Sequence, residues 1–301
     1  MTTNSYLSKV LASQTLGDES NELKALQERR AEVEKFLRQH FEGSSPTIRY
    51  GGSKAKGTMI RESYDLDIAC YFPRDDTAAG ETLEEIYANV RNVLEKKYLV
   101  EPKASALRLK DLNTQTRGVD FHIDVVPGRF TDDEKSDAFL YISTGEKKRL
   151  KTNLDVHIKH VKDSGVIDAI RLMKLWKVRN GLPIRNFVLE LAVIKLLKSK
   201  KDAARSTQLE HIWTEFRDNI ENLYVEDPAN PSGNDLSHLL NSTMKGTLAA
   251  GAGRTLALIG TSGWEAVFGP VDEKKETEKT EALRRAAAAV VTPTRPWLRE
   301  A

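Results

Sequence analysis

Apolar residues recur at helical spacing in the first long segment of the chain. In ESNELKALQERRAEVEKFLRQHF, Leu23, Leu26, Val33 and Leu37 form one stripe, which predicts an amphipathic packing helix. The period then shortens to two. In DLDIACYF, residues 65–72, Leu66, Ile68, Cys70 and Phe72 fall on one strand face, and Asp65 and Asp67 fall on the other. A helix follows in TLEEIYANVRNVLEKKY, then strand-like runs at ALRLKDL and VDFHIDVVPGRF. The same alternation puts Asp120, His122 and Asp124 on one face of the last run. This order of strands and helices indicates an α/β lobe. From about Val166 the pattern is helical throughout: IDAIRLMKLWKVRNG, NFVLELAVIKLLKSK, TQLEHIWTEFRDNIENLY and NSTMKGTLAAGAGRTLALI, separated by Gly, Pro and Asn. The expected organisation is a first lobe over 1–165, a helical lobe over 166–270, and a charged segment with a flexible tail over 271–301.

Composition narrows the function classes. The 301 residues carry 46 Lys+Arg and 44 Asp+Glu, a net charge of +2, too even to grip a long nucleic acid by charge alone. A single cysteine, Cys70, excludes an internal disulfide and a zinc site built on several thiolates; on the apolar face of its strand it reads as a small hydrophobe. No apolar run reaches the ~18 residues of a membrane span, and the N-terminal MTTNSYLSKV lacks the apolar core of a signal peptide. A cytoplasmic protein without a membrane partner is expected.

The aspartates in the first strand change the picture most. Aspartate is depleted in strands and costs several kcal/mol to bury unpaired. Asp65 and Asp67 can converge on one point, where like charges repel unless protonated or neutralised. Two explanations stand side by side: solvated acids on half-exposed strands, or ligands of a hard divalent ion, magnesium or manganese. A third ligand would come from the later strand, where Asp124 sits in the most apolar stretch and Asp120 lies nearer a turn. The preceding GGSKAKGT supplies small residues, backbone N–H groups, the Ser53 hydroxyl and the charges of Lys54 and Lys56, which together favour an anion. Its spacing is not that of a Walker A loop. Lys174, Lys177 and Arg185 read equally as a solvated helical rim. In DPANPSGN, Pro228, Pro231 and Gly233 make successive turns, either a structural connection or a ligand contact. His157, His160, His211 and His238 show no ligand pattern and read as surface or packing residues.

Gly52-Ser53, Asp65-x-Asp67 and Asp124 together resemble the nucleotidyltransferase superfamily related to DNA polymerase β. GGSKAKGTMIRESYDLDIACYF, HIDVVPG, IRLMKLWKVRN, RNFVLELAVIKLL and EDPANPSGN further resemble the branch of 2′-5′-oligoadenylate synthases and cyclic GMP–AMP synthase. Within it they are most similar to the bacterial cGAS/DncV-like enzymes (CD-NTases) of CBASS anti-phage defence. The resemblance implies an α+β, bilobal fold: a mixed-sheet lobe with a long N-terminal helix, plus a helical-bundle lobe. It implies that Asp65, Asp67 and Asp124 bind Mg2+ or Mn2+ and carry catalysis. It places the donor triphosphate of ATP, GTP or another nucleotide on Gly52, Ser53, Lys56 and Lys174, and gives Asn186, standing where the family often has serine, a nucleotide contact to either phosphate or base. The implied product is a cyclic di- or trinucleotide second messenger, released with pyrophosphate. A linear oligonucleotide, or transfer to RNA or a small molecule, is the alternative; a nucleotide sensor with a dead site fits poorly with three acids present. Double-stranded DNA is not an expected partner, since the zinc-binding insertion of the animal relative needs several Cys/His ligands. Trp297 reads either as packing back onto the body or as part of a free tail ending at Ala301, and the bacterial relatives imply a defence-operon partner that recognises such a tail.

Overall fold

The computed structural model describes residues 2–271, apart from 18, 19, 115 and 119. The tail, including the expected partner site at 292–301, lies outside the described residues. Seven strands make one mixed sheet in the order β1-β2-β5-β4-β3, with β6 and β7 continuing from β5. Their ranges are β1 Thr47–Tyr50, β2 Leu66–Phe72, β3 Leu99–Pro102, β4 Leu107–Lys110, β5 Asp120–Phe130, β6 Ala138–Tyr141 and β7 Arg149–Thr152. β2 and β5 run parallel, and every other pairing is antiparallel.

The apolar face of β2 behaves as its alternation requires. Leu66, Ile68, Cys70 and Phe72 are all fully buried beneath α2 (Asn21–His40) and α4 (Leu83–Glu95). The predicted stripe of α2, Leu23, Leu26, Val33 and Leu37, is buried as a unit, and the Ser20 hydroxyl accepts the Leu23 N–H at its start. A reciprocal Thr82–Glu85 capping box starts α4. The opposite face of β2 carries Asp67 at one end, then Ala69 and Tyr71, which pack with Phe130, Ala138 and Leu140.

The second core is helical. It joins α6 (Ile167–Arg179), α7 (Asn186–Leu196), α8 (Arg205–Asp218), α9 (Ser242–Ser262) and α10 (Trp264–Phe268) around Trp176 and Trp213. The Trp176 indole N–H donates to Thr255 Oγ1 at 2.8 Å, so its polar edge is satisfied. One element went unread in the sequence. Thr3–Ser13 forms α1, and its buried Tyr6, Leu7, Val10 and Leu11 belong to this helical core and not to the sheet. Tyr6 donates from its hydroxyl to the Gly269 carbonyl at 2.6 Å, joining the two ends of the described chain. Two further elements mediate between the lobes, α3 (Gly52–Lys56) and α5 (Leu154–Lys162). Among the described residues no helix is long and apolar enough to cross a membrane.

Candidate active site

β2 and β5 carry the acids to one end of the sheet. Their parallel register sets Asp67 directly beside Asp124, with Asp65 just before β2 begins. The strict alternation expected for Asp120, His122 and Asp124 is broken. A bulge shifts the β4–β5 register between Leu109 and Lys110, and His122 takes a left-handed φ of 57°. The bulge still brings His122 into the site: its Nδ1 lies 3.1 Å from Asp65 Oδ1, and its ring packs on Tyr64 at 4.7 Å.

Arg108 of β4 stands opposite Asp124 across the ladder and reaches three acids. Its Nε and Nη2 donate to Asp124 at 2.5 and 2.9 Å, Nη1 to Asp120 at 2.7 Å, and Nη2 also to Asp65 at 3.0 Å. Lys103 adds a further bond to Asp124, at 2.8 Å. Charges set the two strand-face acids apart. Burial, then the Asp124 and Asp65 carboxylates, push Asp67 up to about 6. Burial also pushes Asp65 upward, but His122 and Arg108 outweigh it and hold that carboxyl at about 2.

The turn before these acids is shaped around one of them. Gly52 has φ +54°, and a Cβ there would stand 1.5 Å from Asp67 Oδ2. Only glycine allows this approach. The Gly51 N–H donates to the Asp67 carbonyl at 2.7 Å, locking the turn onto β2. No side chain caps the start of α3 at Gly51, and Ser53 follows half-buried.

Behind the turn lies a second charged group. Glu190 of α7, 1% exposed, accepts from Lys56 at 2.9 Å, from Lys174 at 2.5 Å and from the Thr58 hydroxyl at 2.7 Å. Lys174 also donates to Thr58 Oγ1 at 2.8 Å. The solvated-rim reading of Lys174 therefore fails, because its side chain is buried between the lobes. Burial lowers its pKa, and the neighbouring Glu190 opposes that shift. Lys177, one helical turn on, donates to Asn186 Oδ1 at 2.7 Å; burial, then Lys174, lower it to about 8. Arg185 takes no part in these contacts and immediately precedes α7. In the DPANPSGN turn, Asp227 is 1% exposed and holds His157 Nε2 and Asn234 Nδ2, both at 2.6 Å. Asn230 reaches the Lys151 carbonyl at 3.1 Å. These bonds tie the turn to the sheet lobe, and they give His157 a hydrogen-bonding role that the sequence did not suggest.

The sequence matches the Second Messenger Oligonucleotide or Dinucleotide Synthetase (SMODS) domain family over residues 1–164, more than half of the chain. The chain belongs to the SMODS family. Among curated proteins it is similar to a cyclic AMP-AMP-AMP synthase of Escherichia coli (strain MS 115-1), 25% identical over 185 residues. That match spans 56% of this chain and 56% of the relative, so the chain spans little more than half the length of the protein it matches. Solved structures share the whole architecture. The E. coli MS115-1 CdnC structure with ATP superposes with a TM-score of 0.63 at 20% identity, covering 89% of this chain and 98% of that one. CdnC in its complex with HORMA-deltaN gives 0.64 at 18% identity over 90% and 98%. The Bradyrhizobium diazoefficiens CD-NTase CdnG with GTP gives 0.65 at 15% over 93% and 98%. The fold is thus the bilobal, polymerase β-like fold of CD-NTases.

In this SMODS chain the donor chemistry of Asp65, Asp67 and Asp124 suits a hard divalent ion. As the side chains stand, no group of three or more His, Cys, Asp or Glu among the described residues is arranged to hold a metal. Both Asp124 oxygens and one of Asp65 are engaged by Arg108 and Lys103. The Asp67 carboxyl, pushed up by burial and then by its acid neighbours, is a group that a cation would relieve. The residues fit a metal once those two cations release them.

Proposed function

We propose that this chain joins nucleoside triphosphates into a cyclic di- or trinucleotide second messenger, releasing pyrophosphate, within anti-phage signalling. The observation that carries the reading is the Asp67–Asp124 register beside a glycine turn moulded to Asp67. Asp65, Asp67 and Asp124 would hold magnesium or manganese, which neutralises the triphosphate and lowers the pKa of the acceptor ribose hydroxyl. Gly52 and Ser53 present backbone N–H groups and a hydroxyl to the donor phosphates. Lys56 and Lys174 share one Glu190 beside that turn. Lys177, held by Asn186, stands one helical turn beyond Lys174. Because Lys177 is lowered to about 8, donor affinity is expected to weaken as pH rises through that value. The acceptor oxygen bonds to the α-phosphorus, the bond to the bridging oxygen breaks, and pyrophosphate departs. A second turn on the tethered intermediate closes the ring. The ATP and GTP bound to the CdnC and CdnG structures support nucleoside triphosphates as substrates, and the CdnC complex supports a protein partner.

The test is to incubate the full chain with each triphosphate and Mg2+ or Mn2+, then identify phosphatase-resistant products by mass spectrometry. Cyclic products are expected from the native chain, and none from the Asp65→Asn/Asp67→Asn double variant, with its fold checked by circular dichroism. Linear products alone would replace the cyclase reading, and substantial turnover by the double variant would remove the metal-ligand roles.

A further inference from the structure

Arg108 was read in the sequence only as part of a strand, yet it organises the acids. Its side chain is 13% exposed, and its three nitrogens contact Asp65, Asp120 and Asp124. Each carboxylate oxygen offers two lone pairs. Asp124 Oδ2 already accepts from Arg108 Nη2 and Lys103 Nζ, which uses both, and Oδ1 accepts from Arg108 Nε. Asp65 is engaged on each oxygen, by Arg108 and by His122. Asp67 alone of the three makes no ion pair among the described residues. A divalent ion arriving at the free protein therefore meets one carboxylate clear of cations, Asp67, and two whose oxygens it would have to share with Arg108 and Lys103. Arg108 and Lys103 also offset part of the negative charge of Asp65, Asp120 and Asp124 that would attract it.

Resting on the nucleotidyltransferase reading, we propose that Arg108 is a built-in placeholder cation that disfavours metal loading until nucleotide arrives. The triphosphate offers the guanidinium an alternative bidentate acceptor, and its own charge replaces what the acids lack. When Arg108 leaves Asp65 and loosens Asp124, those oxygens turn to the metal. By linkage, metal and nucleotide then bind with positive cooperativity. Arg108 is a positioning residue acting through the acids. If it were instead a permanent clamp that shapes Asp124 for the metal, its removal would weaken metal binding.

The two possibilities give opposite signs in one measurement, Mn2+ binding to the nucleotide-free full chain by electron paramagnetic resonance. Arg108→Gln is expected to bind Mn2+ at least tenfold more tightly than the native chain. Arg108→Lys, which keeps one charge but cannot span three acids, is expected to fall between. Equal or weaker binding by Arg108→Gln overturns the proposal. Should Arg108→Gln fail to fold, Arg108→Lys decides by the same sign. Adding Asp67→Asn to Arg108→Gln must remove the gain, or the tighter site lies elsewhere and the proposal falls. A tightened site with no product from the native chain would leave the placeholder standing and sink the nucleotidyltransferase reading. Product formation with unchanged Mn2+ affinity would do the reverse.

Discussion

Two charged clusters flank the Gly52–Lys56 helix, and they are built in opposite ways. Behind it, Glu190 is enclosed by Lys56, Lys174 and Thr58, all fixed on short or rigid elements. There cations outnumber anions, and every group is committed. In front of it, acids outnumber cations at the ends of β2 and β5, and their partners are the long, jointed side chains of Arg108 and Lys103. Lys103 is 38% exposed where Lys174 is 2%. A buried cluster whose groups all bond one another fixes the lobes against each other. A more exposed cluster is poised to exchange its partners for a ligand.

The strongest test of this contrast removes Glu190. Glu190→Ala leaves two lysines buried without their acid, and breaking a buried pair this way costs about 3–5 kcal/mol. The check is the urea midpoint with a matching unfolding slope. A loss under about 1 kcal/mol would mean the rear cluster is no tighter than a surface pair.

The front cluster should respond more weakly, and in two directions. Asp67 is raised from its ordinary 3.8 to about 6, so its contribution to stability is present below pH 4 and lost as pH rises through 6. Asp67→Asn should therefore stabilise the metal-free protein at pH 7.5 by about 1–2 kcal/mol, less than the full shift because the residue is partly solvated. The gain should vanish near pH 4. Asp65 is lowered from 3.8 to about 2, so its contribution is present above pH 4 and lost as pH falls through 2. Asp65→Asn should destabilise at pH 7.5, by under about 1 kcal/mol given its exposure. Melting temperatures of both variants at the two pH values, with chelator present, decide the matter; equal signs would sink it. Ser53→Ala should sit at the end of the scale, neutral for stability and a few-fold weaker in ATP binding by calorimetry. An unchanged affinity would take Ser53 out of the donor site.

Much of this was legible because a charge in an apolar run is conspicuous. Asp65 and Asp67 stood out in DLDIACYF, and Asp124 in HIDVVPG. Glu190 obeys the same rule, a lone acid in NFVLELAVIKLL, and could have been found by it. Arg108 could not. In ALRLKDL a charged residue at every second position, Arg108 then Lys110, is what a half-exposed strand would show, and only the pairing of β4 with β5 sets Arg108 against Asp124. The bulge at His122 was hidden for a similar reason, since alternation assumes an unbroken ladder. The glycine turn was read as a phosphate cradle, but its first physical demand is local: room for Asp67. β3, β6 and β7 are four-residue strands, too short for their period to show.

The bond from Tyr6 to Gly269 has a consequence for how the protein is made. α1 is made before the sheet, yet the helices it packs on end at Phe268. At roughly 5–20 residues per second, its apolar stripe waits on the order of ten seconds or more for a partner. The sheet between them can assemble in the meantime, from strands and helices contained within 21–152. The two halves of one helical core thus lie on either side of the sheet in the order of synthesis. Lys174 and Glu190 emerge well after Lys56 and Thr58, so the two lobes are stitched together late in synthesis.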